Sequence, residues 1–173
     1  MKVENVKLEK RGIKPSDIVA LTFAGILIAI IVFQCISPTL VSGTSMLPTI
    51  EDGDYLFMEK VGTPKKNDII VFNSNYYEDT ILIKRVVAEP GDKLIIKDSN
   101  IYINDKLIDE PYILEKDFEC DNYELVIPEG KYFVMGDNRN NSLDSRAIGL
   151  VDKEDIIGTI LLRVYPFDKM GNL

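Results

Sequence analysis

With 173 residues, 46% of them hydrophobic and 28% charged, the chain has the composition of a folded protein, leaving room for one domain of ordinary size beyond its N-terminal segment. It contains no histidine and only two cysteines, which excludes an imidazole base, a histidine-ligated zinc centre and a thiolate metal cage. No cofactor or metal is expected, and any general base must be Lys, Asp, Glu, Tyr or Cys.

The net charge of −8 hides an asymmetry. Residues 1–17 carry five basic groups (Lys2, Lys7, Lys10, Arg11, Lys14) against three acidic ones, a balance of +2, so the remainder stands at −10. An acidic body argues against a nucleic-acid partner, because phosphate contacts need a basic face. The basic tail takes its meaning from the apolar run next to it. From Ile18 to Ile36 stand 19 residues without a charge, a helix of about 28 Å against a hydrocarbon core of roughly 30 Å. The stretch predicts a membrane anchor over residues 18–37. A cleavable signal peptide is the rival, but its apolar region is usually about 7–15 residues, and Thr39-Leu40-Val41 lacks the small-x-small pattern such cleavage prefers. Basic residues cluster before the run and the first charge after it is Glu51. The positive-inside rule therefore puts residues 1–17 in the cytoplasm as a basic tail and residues 38–173 outside. Cys35 lies in the apolar run and Cys120 in an acidic segment, so no disulfide between them is expected.

The exported part reads as mainly β. Runs rich in Ile, Val, Tyr and Phe predict strands over 55–61, 68–72, 80–88, 93–97, 100–103, 124–127, 131–135 and 156–164. Turn signals separate them, among them Glu51-Asp52-Gly53-Asp54, Pro90-Gly91-Asp92 and Pro128-Glu129-Gly130. Short strands at this spacing predict an antiparallel, partly closed assembly, with no long amphipathic helix after Pro38. Residues 107–123 mix acidic and aromatic side chains without a period and read as a loop or small excursion.

Three stretches bear on chemistry. In Ser42-Gly43-Thr44-Ser45-Met46-Leu47-Pro48-Thr49, Ser45 is the candidate nucleophile, although a serine among Gly, Thr and Pro is ordinarily a turn residue. It stands seven residues beyond Pro38, so an extended chain carries it at most about 25 Å from the end of the apolar run. In the strand Ile81 to Val87, Lys84 shares its parity with Leu82 and Val86, the set facing the core, and Arg85 points to the other face. The pattern alone favours an edge lysine whose ammonium snorkels to water. A desolvated lysine instead loses basicity, by as much as several pH units, and its neutral amine can take a serine proton. Without histidine, a Ser/Lys dyad is the favoured route to an activated serine. The third stretch, residues 136–146 (GDNRNNSLDSR), is dense in hydrogen-bonding groups and fits a solvated loop equally well.

Together these stretches resemble the bacterial type I signal peptidases, membrane-bound serine proteases that remove signal peptides from exported proteins. The resemblance rests on Ser45-Met46-Leu47-Pro48-Thr49, Gly53-Asp54, Ile83-Lys84-Arg85-Val86 with Pro90-Gly91-Asp92, and GDNRNNSLDSR, in that order behind an anchor. It implies an antiparallel β-rich catalytic domain, Ser45 as nucleophile and Lys84 as general base. It further implies that the Ser142 hydroxyl orients the lysine amine, that Asp144 and Arg146 form a supporting ion pair, and that Gly136, Asp137, Asn138 and Arg139 shape the loop. Met46 and Ile83, with Val41, would line small apolar pockets for an Ala-x-Ala-like signal peptide end. The implied enzyme is a monomer, single-pass in the bacterial cell membrane, whose partners are signal peptides and the lipid bilayer. Two positions depart from the pattern. Gly43 stands where some members have a serine that helps the oxyanion hole, leaving the second donor unassigned, and Asn140 stands where an aspartate is frequent.

Two other classes remain open on the residues: a membrane-tethered β-domain that binds an extracellular partner without catalysis, and an intramolecular Ser/Lys autoprotease like the SOS repressors. The anchor and the missing DNA-binding segment weigh against the second.

Overall fold

A computed structural model describes residues 14–76 and 80–173, excepting the side chains of residues 31–33. The expected basic tail lies largely outside the described residues. The chain divides into two units, one ending at Cys35 and the other running from Ile36 to Leu173.

The first unit holds helix α1 (Pro15–Cys35, 21 residues). Pro15 sits at its first position, where a missing N–H costs nothing, and the Thr22 hydroxyl donates to the Ile18 carbonyl at 2.6 Å, satisfying itself within the helix. The helix stops at Cys35, short of the residue 37 expected, because Ser37 precedes Pro38 and is pushed to extended backbone. Among the described residues, no helix is long and apolar enough to cross a membrane.

The second unit is built of antiparallel strands: β1 (Ile36–Leu40), β2 (Tyr55–Glu59), β3 (Ile69–Ser74), β4 (Thr80–Ala88), β5 (Lys93–Lys97), β6 (Asn100–Ile103), β7 (Lys106–Leu107), β8 (Tyr123–Val126) and β9 (Lys131–Met135). Helix α2 (Ser145–Ile148) comes next, then β10 (Val151–Asp152) and β11 (Ile156–Tyr165). The larger sheet has the order β1-β2-β11-β3-β4-β9-β10 and the smaller β7-β6-β5-β8. In the smaller sheet, β5 to β6 and β6 to β7 turn over two residues each. Those residues, Asp98-Ser99 and Asn104-Asp105, all have positive φ, as hairpin turns that match strand twist require. Among the described residues the only α-helix after Pro38 is α2, four residues long.

Three apolar clusters hold this unit together. Val87, Ala88, Phe133 and Met135 of the larger sheet meet Leu94, Ile96, Ile101 and Ile103 of the smaller. Ile70, Phe72, Val86, Tyr132, Val134 and Val151 form a second cluster. The third gathers Val41, Met46, Ile50, Leu56 and Ile69, with Ile83 and Ile160 packed against it. Fully burying such a side chain stabilises by about 1.5–3 kcal/mol, so the third cluster fixes the loop that carries Ser45 to β2 and β3. Strand β4 lies inside the sheet between β3 and β9, and both Lys84 and Arg85 are consequently buried, one on each face.

Candidate active site

The loop between β1 and β2 is tied at its base, where Val41 N–H donates to the Asp54 carbonyl at 2.9 Å and Gly53 N–H to the Val41 carbonyl at 3.0 Å. Asp54 accepts from Glu51 N–H at 2.9 Å. Its carboxylate also lies 2.9 Å from Arg163 Nε, an ion pair by distance whose N–H is not aimed along a hydrogen bond. Arg163 directs another donor to the Thr49 carbonyl. Inside this frame, Met46 and Ile50 point into the third cluster and Ser45 is left at the surface of the turn, half-buried.

Lys84 comes to Ser45 from β4. Its Nζ is 2.7 Å from Ser45 Oγ and donates to its neighbour's carbonyl, Ile83 O, at 2.7 Å, while the residue is 2% exposed. Burial lowers the lysine pKa to about 8, against the opposing pull of the Asp144 and Asp137 charges, which favour the ammonium. A substantial fraction of Lys84 is thus neutral near pH 8, and a neutral amine at this distance can accept the hydroxyl proton.

The 136–142 loop packs against the nucleophile turn. Asn138 N–H donates to the Ser45 carbonyl at 3.0 Å, Asn138 Nδ2 to the Thr44 carbonyl at 3.1 Å, and Asn141 Nδ2 to Thr44 Oγ1 at 3.0 Å. Gly136 makes this approach possible. A Cβ there would stand 2.3 Å from Ser142 Oγ and 2.4 Å from the Ser45 carbonyl oxygen. Asp144 caps α2, accepts from Gly136 N–H at 3.0 Å and pairs with Arg146 at 2.8 Å.

The expected hydrogen bond from Ser142 to the lysine amine is not formed. Ser142 Oγ is buried beside Gly136 without a partner, because the amine directs its bonds to Ser45 Oγ and Ile83 O. Of the expected pocket residues, Val41 and Met46 are core side chains at 5% and 2% exposure, and only Ile83 keeps a half-exposed face.

The structure also gives Asp137 and Arg139, expected to shape the loop, partners that the sequence did not indicate. Asp137 receives Arg85 through two hydrogen bonds, at 2.8 and 2.6 Å, and Thr49 Oγ1 at 2.5 Å. Arg139, its side chain 1% exposed, forms a buried pair with Glu110 through two hydrogen bonds at 3.0 and 2.6 Å. The matching partners lie tens of residues away, beyond the reach of any local pattern. Both cysteines are free, and among the described residues no three His, Cys, Asp or Glu side chains converge as metal ligands.

Comparison with known proteins extends this picture. Residues 16–165 match the family model described as signal peptidase, peptidase S26. The chain is 38% identical to signal peptidase I U of Bacillus subtilis over 94% of its length and 93% of the relative's. It is 39% identical to signal peptidase I of Bacillus licheniformis over 87% and 88%, and 34% identical to signal peptidase IB of Staphylococcus aureus over 88% and 90%. Among solved structures, that of a signal peptidase I from Enterococcus faecalis is similar with a TM-score of 0.51 and 30% identity, covering 57% of this chain and 97% of its own.

Proposed function

The chain belongs to the S26 signal peptidase family, and from that premise we propose that it removes signal peptides from exported preproteins by a Ser45/Lys84 acyl-enzyme mechanism. The enzyme is a signal peptidase I, a hydrolase of the serine protease type. The observation that carries the mechanism is the 2.7 Å approach of a buried lysine amine to Ser45 Oγ.

In the proposed cycle, neutral Lys84 takes the Ser45 proton as Oγ bonds to the carbonyl carbon before the cut. The charge that develops on the carbonyl oxygen is met by the Ser45 N–H. Gly43 N–H is committed to Asp52 Oδ1 at 2.7 Å and is no candidate for the second donor. The Lys84 ammonium then gives its proton to the departing amine, the C–N bond breaks, and the signal peptide stays on Ser45 as an ester. Lys84, neutral again, takes a proton from water; the hydroxide oxygen bonds to the ester carbon and Oγ leaves with the proton. Acylation ends the Lys84 bond to a free hydroxyl, and the unpartnered Ser142 Oγ beside the nucleophile turn is the group available to orient the amine in that half of the cycle.

Substrate binding is proposed along β4. β9 pairs with β4 from Arg85 to Ala88, so among the described residues the edge over Ile81–Ile83 facing away from β3 has no strand. A signal peptide end adds there in extended form, with Ile83 the apolar side chain it meets and Met46 and Val41 lying behind Ile83 in the core. An Ala-x-Ala-like end is the proposed preference.

The same reading makes α1 a single-pass anchor. Ile31, Val32 and Phe33, whose side chains are not described, fall inside the uncharged run. Counted from the sequence, the run reaches 19 residues, about 28 Å of helix. With the basic tail cytoplasmic, the β unit acts outside the bacterial membrane, where signal peptides leave the bilayer. One chain supplies both Ser45 and Lys84, so a monomer suffices. A serine-reactive acylating probe tests the reading: it labels Ser45 and loses that labelling in Lys84→Met, whereas a non-catalytic tethered domain leaves Ser45 unlabelled.

A further inference from the structure

Residues 109–118 lie in the connection from β7 to β8 and have no helix or strand of their own, yet most of the hydrogen bonds that leave them go to the 136–146 loop, the others joining Ser99 Oγ and the Phe118 backbone at 2.8 and 3.3 Å. Glu110, its side chain 8% exposed, holds Arg139 through two bonds at 3.0 and 2.6 Å. Tyr112 Oη donates to Glu110 Oε1 at 2.9 Å, and the Arg85 guanidinium lies over the Tyr112 ring, 4.1 Å from its centroid. Leu114 N–H donates to the Asp137 carbonyl at 3.0 Å. Asn140 Nδ2 donates to Glu115 and, at 3.1 Å, to the Asp117 carbonyl. Phe118, 5% exposed, anchors the end of the segment in the core beneath Arg139 and Arg146.

We propose that residues 109–118 are a strap that positions the dyad, with Glu110 and Tyr112 as its positioning residues. The route to the reacting atoms is short. Arg139, fixed by Glu110, donates from Nε to the Gly136 carbonyl at 3.0 Å, and the next turn of the same loop holds the Ser45 carbonyl through Asn138 N–H at 3.0 Å. Arg85, fixed between Tyr112 and Asp137, is the chain neighbour of Lys84. The strap therefore braces the nucleophile turn through one arginine and the base through the other. It also accounts for Asn140: a carboxylate there would face Glu115 as a like charge, whereas the amide donates to it.

The inference rests on the dyad reading, so its test carries one readout that needs no substrate. In the full-length protein in detergent, Glu110→Gln leaves the buried Arg139 without its charge partner while keeping shape. Turnover of a preprotein is expected to fall about 10- to 100-fold in kcat, with KM within about 2-fold, as for loss of a group that orients a reacting one. Amide hydrogen exchange over 136–142 is expected to quicken about 10-fold. Unchanged exchange with kcat within 2-fold of the parent overturns the strap, as does a loss confined to KM. Should Glu110→Gln not fold, Tyr112→Phe, which keeps the ring over Arg85, is compared with Tyr112→Leu, which removes it. The leucine variant is expected to lose at least about 5-fold more kcat than the phenylalanine variant, and equal activities overturn the proposal. A parent that processes no preprotein, with exchange in Glu110→Gln still quickened, counts against the dyad reading and not against the strap.

Discussion

Lys84 Nζ and Ser45 Oγ stand 2.7 Å apart although 39 residues separate them, one on an interior strand and the other on a turn packed against the same sheet. The sheet brings the lysine stem through the core, and burial leaves the amine short of water at the point where it meets the hydroxyl.

The first consequence is a pH profile. With the lysine pKa lowered to about 8 by burial, kcat/KM is expected to rise tenfold per pH unit below that value and to level off above it, because only the amine accepts a proton. Initial rates of preprotein cleavage from pH 5 to 10 check this. A profile flat across that range removes Lys84 as the base.

The same shift costs stability. Between the folded pKa near 8 and the ordinary 10.5, the unfolded chain binds the proton that the folded chain gives up, so stability rises with pH across that window and the full cost is present below it. At about 1.36 kcal/mol per unit the cost is on the order of 3 kcal/mol, and Lys84→Met is expected to be more stable than the parent by about 2 kcal/mol at pH 7. Thermal melts at pH 7 and pH 10 should show the advantage shrinking as pH rises. A variant less stable at pH 7 speaks against a desolvated lysine.

Asp144 pulls the other way, since its charge favours the ammonium. Asp144→Asn should carry the acid limb of kcat/KM to lower pH, and the Arg146 charge left without its partner acts in the same sense. The variant also loses stability, because it breaks a largely buried ion pair. An acid limb moved upward would mean that Asp144 does not act on Lys84 through its charge.

Gly136 is needed for space and not for a left-handed backbone, its φ lying outside the range that glycine alone favours. Gly136→Ala must displace Ser142 or the Ser45 carbonyl, with overpacking of about 1–3 kcal/mol and a kcat loss on the order of 100-fold from a misplaced nucleophile. Activity and melting temperature measured together separate this from simple unfolding. Near-parental kcat contradicts the tight packing.

Strands β4, β5, β6 and β9 run where the β-branched stretches predict, because each is bounded by a strong turn signal. β1 carries no strand signal of its own, because Ile36 belongs to the uncharged run and Pro38, in the middle of the strand, argues against one. β7 and β10 have two residues each and exist through pairing alone. Near the dyad, the alternation of β4 put Lys84 toward the core, but it could not show that Arg85's face is buried as well. That depends on Asp137 and Tyr112, which are distant in sequence. Segment 107–123 looked aperiodic because its side chains answer to the 136–146 loop and not to a period of their own.

The most direct test is processing of a preprotein bearing an Ala-x-Ala signal end by membranes carrying the parent, Ser45→Ala or Lys84→Met. The expected result is cleavage after that site by the parent and none by either variant, with both variants folded and membrane-bound. Full cleavage by Lys84→Met would contradict the dyad.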